Sequence, residues 1–184
     1  MEVVFQVKGA KDGLAELNVV SPAGRTIVTF KAPDISTLGI RQFRFESPEP
    51  TDIKLLKAAY PEGVYQFSGK TVSGATLSGE SALSHRLPTP ARVLMPAPKA
   101  VDVPARKSLR VAWGAVAGVV TYLVGIEQSD SDANFTATIP APATSLVVPN
   151  GFLSHGKEYT LSIGTVGRDG NISFVETSFS TSKR

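Results

Sequence analysis

The sequence predicts an all-β protein built as two tandem antiparallel β-sandwiches, with one short helix in the first. Three observations carry this expectation. Short runs in which apolar and polar residues alternate recur along the whole chain, as half-buried strands require. Turn formers, 16 Gly and 13 Pro among 184 residues, separate these runs and do not cluster into repeats. A Pro-rich stretch, Leu87-Pro88-Thr89-Pro90 followed by Pro96-Ala97-Pro98, divides two such sets near Ala91–Val93 and gives domains of residues 1–91 and 92–184. Such a stretch favours a stiff, extended course.

In the first half, Val3, Phe5 and Val7 alternate with Val4 and Gln6, as a half-buried strand requires. Leu14 to Val20 forms a second run and Arg25 to Phe30 a third, joined by the turn Ser21-Pro22-Ala23-Gly24. Ile40 to Glu46 places Phe43 and Phe45 on one face, with Gln42, Arg44 and Glu46 on the other. The helix follows over Asp52 to Ala59, near residues 52–59, with Thr51 as its cap. Ile53, Leu56 and Tyr60 recur at helical spacing as its buried face, and Pro61 and Gly63 stop it. Val64 to Thr71 and Thr76 to Leu83 complete the first set around a Ser73-Gly74 turn.

In the second half, a first strand lies around Val93 to Val101. Leu109, Val111 and Trp113 alternate, as do Tyr122, Val124 and Ile126, and later Tyr159, Leu161 and Ile163. Short strands at Phe135 to Ile139 and Ser145 to Val148 lie between. Arg168-Asp169-Gly170-Asn171 reads as a hairpin turn, because Asp-Gly tolerates the positive dihedrals of tight hairpins. Ile172 to Ser180 closes a set of about seven strands, the number of an immunoglobulin-like sandwich.

Composition narrows the chemistry. The chain has no cysteine, which removes disulfides and thiolate metal sites. No apolar run reaches the ~20 residues that span a bilayer. No basic segment followed by an apolar run opens the chain. The net charge of +3 is spread over both halves, without the concentrated basic surface that nucleic acid demands. Nucleic-acid binding and membrane insertion are therefore not expected.

At this point the second half resembles a fibronectin type III domain over nearly all of residues 93–181. The resemblance rests on Leu109-Arg110-Val111-Ala112-Trp113, on Tyr122-Leu123-Val124-Gly125-Ile126, and on Thr144-Ser145-Leu146-Val147-Val148-Pro149. Leu153, Gly156 and Tyr159 have the spacing of that family's tyrosine corner, which implies a bond from the Tyr159 hydroxyl back to the chain near Leu153. The first half, through Phe45-Glu46-Ser47-Pro48-Glu49-Pro50 and Tyr60-Pro61-Glu62-Gly63-Val64-Tyr65, looks like a sandwich that precedes type III domains in some exported bacterial proteins. That likeness implies architecture and an extracellular or periplasmic location, and it carries over no functional residue.

Candidate chemistry is sparse, and the chain reads as non-catalytic with no cofactor. His85 and His155, the only histidines, have no partner at ligand spacing and read as loop residues bonded to backbone. Glu46, Glu49, Asp52 and Glu62 lie near the helix and are the candidate ligands of a weak calcium site, though no calcium loop motif is present. Asp130 and Asp132 fall in a polar, solvated loop. No Gly-x-Ser-x-Gly elbow marks a hydrolase, and a metal-dependent hydrolase built on the acidic group ranks last.

Trp113, Tyr122 and Tyr159 occupy inward positions and read as core. Phe135, Phe152 and Phe174 are the aromatics whose exposure decides whether the chain is an accessory carbohydrate-binding module. The Asn134 and Asn171 sequons carry no functional expectation. The best-placed partner-binding loop is the hairpin, with Arg168, Asp169 and Asn171. The reading is a monomeric module, interacting or spacing, whose partner is an unidentified protein or polysaccharide. Its sheets leave edges able to pair.

Overall fold

The computed structural model describes residues 1–8, 12–32 and 39–183. Two compact units, Met1–His85 and Arg86–Arg184, make up the chain. The expected boundary lay near Ala91–Val93. The division falls earlier because the Pro-rich segment is bonded to the second unit. Thr165 Oγ1 donates to Thr89 O at 3.0 Å, Asn171 Nδ2 to Arg86 O at 2.7 Å, and Gly114 N to Arg92 O at 2.9 Å. Ala91 is buried in that unit's core.

In the first unit, β1 (Val4–Lys8) pairs antiparallel with β4 (Gln42–Glu46) as one sheet. The other sheet has the order β3-β2-β5-β6, from β2 (Leu14–Val20), β3 (Thr26–Lys31), β5 (Gly63–Thr71) and β6 (Thr76–Leu83). Alternation puts Phe5, Leu17, Val19 and Tyr65 into the space between the sheets, where all are buried. Phe5 is the centre of the packing. Its ring lies 4.9 Å from Phe45, 5.5 Å from Tyr65 and 5.9 Å from Tyr60. Tyr65 donates its hydroxyl to Pro61 O at 3.0 Å, and burial pushes the phenol above its usual range.

The helix α1 (Ile53–Ala59) is capped by Asp52, not Thr51: the Asp52 carboxylate accepts from Lys54 N–H at 2.8 Å. The cap moves one residue because the Asp52 backbone is extended. Only Leu56 of the helix proper is buried; Ile53 is exposed, contrary to the expected apolar face, since a helix of two turns meets the core through one side chain. Arg25 donates to Ala59 O at the helix C-terminus, where the dipole favours a cation.

The second unit splits its expected first strand in two. β7 (Val93–Met95) pairs with β9 (Leu109–Trp113), while β8 (Ala100–Val103) runs parallel to β14 (Ile172–Thr181) in the opposite sheet. Pro96 and Pro98 enforce the switch, because neither can donate to a ladder. One sheet is β12-β9-β7, with β12 (Ser145–Val148). The other is β11-β10-β13-β14-β8, from β10 (Val119–Gln128), β11 (Asn134–Pro140) and β13 (Glu158–Gly167). This is a fibronectin type III-like sandwich. Trp113, Tyr122, Val124, Ile126, Tyr159, Leu161 and Ile163 fill its core as expected.

The tyrosine corner is present. Ser154 N–H donates to the Tyr159 hydroxyl at 2.8 Å, and that hydroxyl donates to Gln128 Oε1 at 3.1 Å. Tyr159→Phe leaves both partners without their bond and is expected to lower unfolding free energy by about 1–3 kcal/mol. Urea titration with an unchanged slope is the check.

Candidate functional site

The expected partner loop is the β13–β14 hairpin. Gly167 N–H donates to Asn171 O at 2.9 Å and Gly170 N–H to Gly167 O at 3.1 Å. Gly170 alone in the turn has positive φ, at 83°, so the connection is a four-residue turn closed by one left-handed glycine. Asp169 Oδ1 accepts from Asn171 N–H at 3.4 Å, and Asn171 holds Arg86 O. Asp169 and Asn171 therefore serve the turn. Arg168 is exposed and makes no ion pair among the described residues.

The four acids near the helix are not brought together. Glu46 pairs with Arg44 at 2.6 Å, Asp52 caps the helix, and Glu62 Oε1 accepts from His85 N–H at 2.7 Å. Glu49 is exposed with no such partner among the described residues. Each carboxylate with a partner points at a different donor, so they form no common oxygen cage. Among the described residues no three His, Asp or Glu side chains group as metal ligands.

Both histidines bind backbone, as the sequence suggested. His85 Nε2 lies 2.8 Å from Tyr60 O, and His155 Nδ1 lies 3.1 Å from Ser182 O. Asp130 accepts from Lys157 Nζ at 2.7 Å and from Gln128 Nε2 at 2.7 Å. Those two bonds hold its carboxyl below the usual range and push Lys157 upward. The polar loop is thus tied to the tyrosine corner through Gln128.

Of the three aromatics considered for carbohydrate, Phe135 and Phe152 pack on the core, with ring centres 5.8 Å apart. Phe174 is 55% exposed and lies over Gly164, where an added Cβ would meet the ring at 2.7 Å.

A further site, which sequence reasoning missed, lies in the first unit. The two sheets are unequal. Phe43 of β4 sits over Phe30 of β3, with centres 5.2 Å apart, and Phe5 of β1 sits over Tyr65 of β5. No described strand lies over β6 from Leu77 to Ser81, while Leu83 at its end packs on the core. Its core-facing positions follow from the register Gly69↔Leu77, Phe67↔Gly79 and Tyr65↔Ser81. All three β6 residues are exposed.

The result is an open groove of about 460 Å³ floored by Leu14, Leu17, Phe67, Leu77 and Gly79, with Val7 on its wall. The volume is that of a ligand cleft. The sequence did carry a signal. A strand whose core-side positions include Gly79 and Ser81 supplies little apolar cover for an opposing strand.

No protein-family model matches the sequence, and no curated protein matches it. Solved structures similar to the chain include fibronectin(III)-like modules of Clostridium thermocellum CbhA, at 7% identity and a TM-score of 0.41, covering 98% of this chain and 85% of that one. A two-domain fibronectin type III segment of chicken tenascin is 13% identical at a TM-score of 0.40, covering 98% and 94%. A fibronectin type III domain of human collagen XX is 20% identical at a TM-score of 0.35, covering 52% and 95%. The reading of the second unit rests on its strand order and tyrosine corner, not on these overlaps.

Proposed function

We propose that the chain is a non-catalytic protein-interaction module that works outside the cytoplasm. One observation carries this reading: the first unit holds a groove open to solvent, with an apolar floor and a strand edge along one wall, and Lys8 and Glu80 are the charged residues that line it. Such a surface suits recognition of polypeptide. The exposed Arg168 on the second unit's hairpin is a further contact point, because Asp169 and Asn171 present it on a fixed turn. The extracytoplasmic location is supported by the resemblance of the first half to a sandwich found in exported proteins.

Immobilised protein, exposed to envelope and secreted fractions of its source, is expected to retain one stoichiometric protein. Arg168→Ala should reduce that retention while leaving stability within about 0.5 kcal/mol, as for exposed surface sites. The exposed ring of Phe174 favours a second reading, an accessory carbohydrate-binding module. Retention of a polysaccharide, lost on Phe174→Ala, would replace the first reading by the second. Retention of neither would overturn both and leave a passive spacer.

A further inference from the structure

We infer that the groove of the first unit is a vacant strand position, and that its occupant is an extended segment of a partner protein, added beside β1. This deepens the protein-interaction reading and rests on it.

Three features define the vacancy. The first is backbone. Ser47 N–H donates to Val3 O at 2.9 Å, and the β1–β4 register runs from Val4↔Glu46 to Lys8↔Gln42. Hydrogen-bonded pairs alternate in an antiparallel ladder. Phe5 and Val7 therefore bond to β4, and the N–H and C=O groups of Val4, Gln6 and Lys8 point to the open side. No strand among the described residues pairs there. An added strand gains ladder bonds to β1 at Gln6 and Lys8, which line the groove.

The second feature is the floor. A strand at the usual spacing of about 4.8 Å beside β1 lies over β6. Its inward side chains then meet Leu77, Gly79 and the Phe67 ring. Leu77 is 37% exposed and Gly79 has nothing within 4 Å of an added Cβ. The floor is thus apolar at its end and hollow at its middle, which selects a large apolar side chain opposite Gly79.

The third feature is charge. Lys8 is exposed at the end of the open edge and makes no ion pair among the described residues. A neighbouring strand is favoured when it places an acid beside Lys8. The occupant is accordingly an extended segment of five or more residues, apolar at alternate positions, large at the centre and acidic at the Lys8 end.

The test uses the full chain and a displayed library of peptides of about twelve residues. Enriched sequences are expected to show the alternation and the acid, and a synthetic copy to bind with a Kd of roughly 1–100 μM. Two variants block the slot. Gly79→Phe fills the hollow from open space, and Gln6→Pro removes an outward N–H without touching the β1–β4 ladder. Each should weaken binding by about tenfold or more, equivalent to about 1.4 kcal/mol, with the melting temperature retained. Amide exchange of Gln6 and Lys8 should slow when peptide is bound.

No enriched sequence, or peptides that bind both variants like the parent, would overturn the inference. Peptides bound elsewhere would leave the interaction reading standing, so the two failures are distinct. Protection of the same amides by self-association alone would make the occupant a second copy and overturn the partner assigned above.

Discussion

Trp113→Ala is expected to lower the unfolding free energy of the second unit by about 3–5 kcal/mol, the usual cost of removing a large core aromatic. Trp113 is 1% exposed and its ring centre lies 5.2 Å from that of Tyr122. It packs where β9 faces β10, so its loss opens a cavity between the two sheets that neither can close by itself. The indole Nε1 has no hydrogen-bond partner among the described residues. The energy at stake is therefore packing and burial. Calorimetry is the check. For a unit of this size each kcal/mol shifts the midpoint by about 4–8 °C, so a shift of only a few degrees would refute the assignment of Trp113 to the centre of the core.

Phe5→Ala is expected to cost the first unit a similar ~3–5 kcal/mol. The argument differs from that for Trp113. β1 and β4 form a sheet of two strands, and a two-stranded ribbon is marginal without a packed face. Phe5 joins that ribbon to β5 through Tyr65 and Phe67, whose ring centre is 6.5 Å away. Without the ring, the ribbon keeps its ladder and loses its main anchor. Trp113 is the only tryptophan, so its fluorescence follows the second unit. Phe5→Ala should lower the calorimetric transition of the first unit and leave the tryptophan transition in place. Coincident shifts would show that the two units unfold as one.

Much of the fold was legible because its strands keep strict alternation. Leu14 to Val20 and Thr76 to Leu83 have the limits read from the sequence, since each begins beside a turn former or an abrupt change of pattern. Tyr159 was legible as a corner because its partner is local in sequence, at Ser154. The split of the first strand of the second unit was not legible. Val93 to Val101 is apolar but for Lys99, and such a run does not say which sheet a strand joins. The cap at Asp52 and the exposure of Ile53 turn on the dihedral of one residue and on the single contact of a short helix.

The groove was the least legible feature. It arises from a mismatch in strand number between two sheets, a property of tertiary arrangement. Leu77, Gly79 and Ser81 look ordinary until β1 is placed over β5 and, among the described residues, no strand is placed over these three. The hairpin at Arg168 was readable as a turn, yet Asp169 and Asn171 proved to be tied down within it. Arg168 is exposed and makes no ion pair among the described residues.

The parallel pairing of β8 with β14 has a mechanical consequence. Phe179 pairs with Ala100 and Thr181 with Val103, and Lys99 N–H and Ser182 N–H add bonds of 2.8 Å and 3.0 Å at either side. These strands lie near the two ends of the second unit. Tension applied to those ends runs along both strands in opposite directions, so these bonds bear load together and in shear. A ladder strained in this way does not open one rung at a time; it holds its length and then ruptures at once.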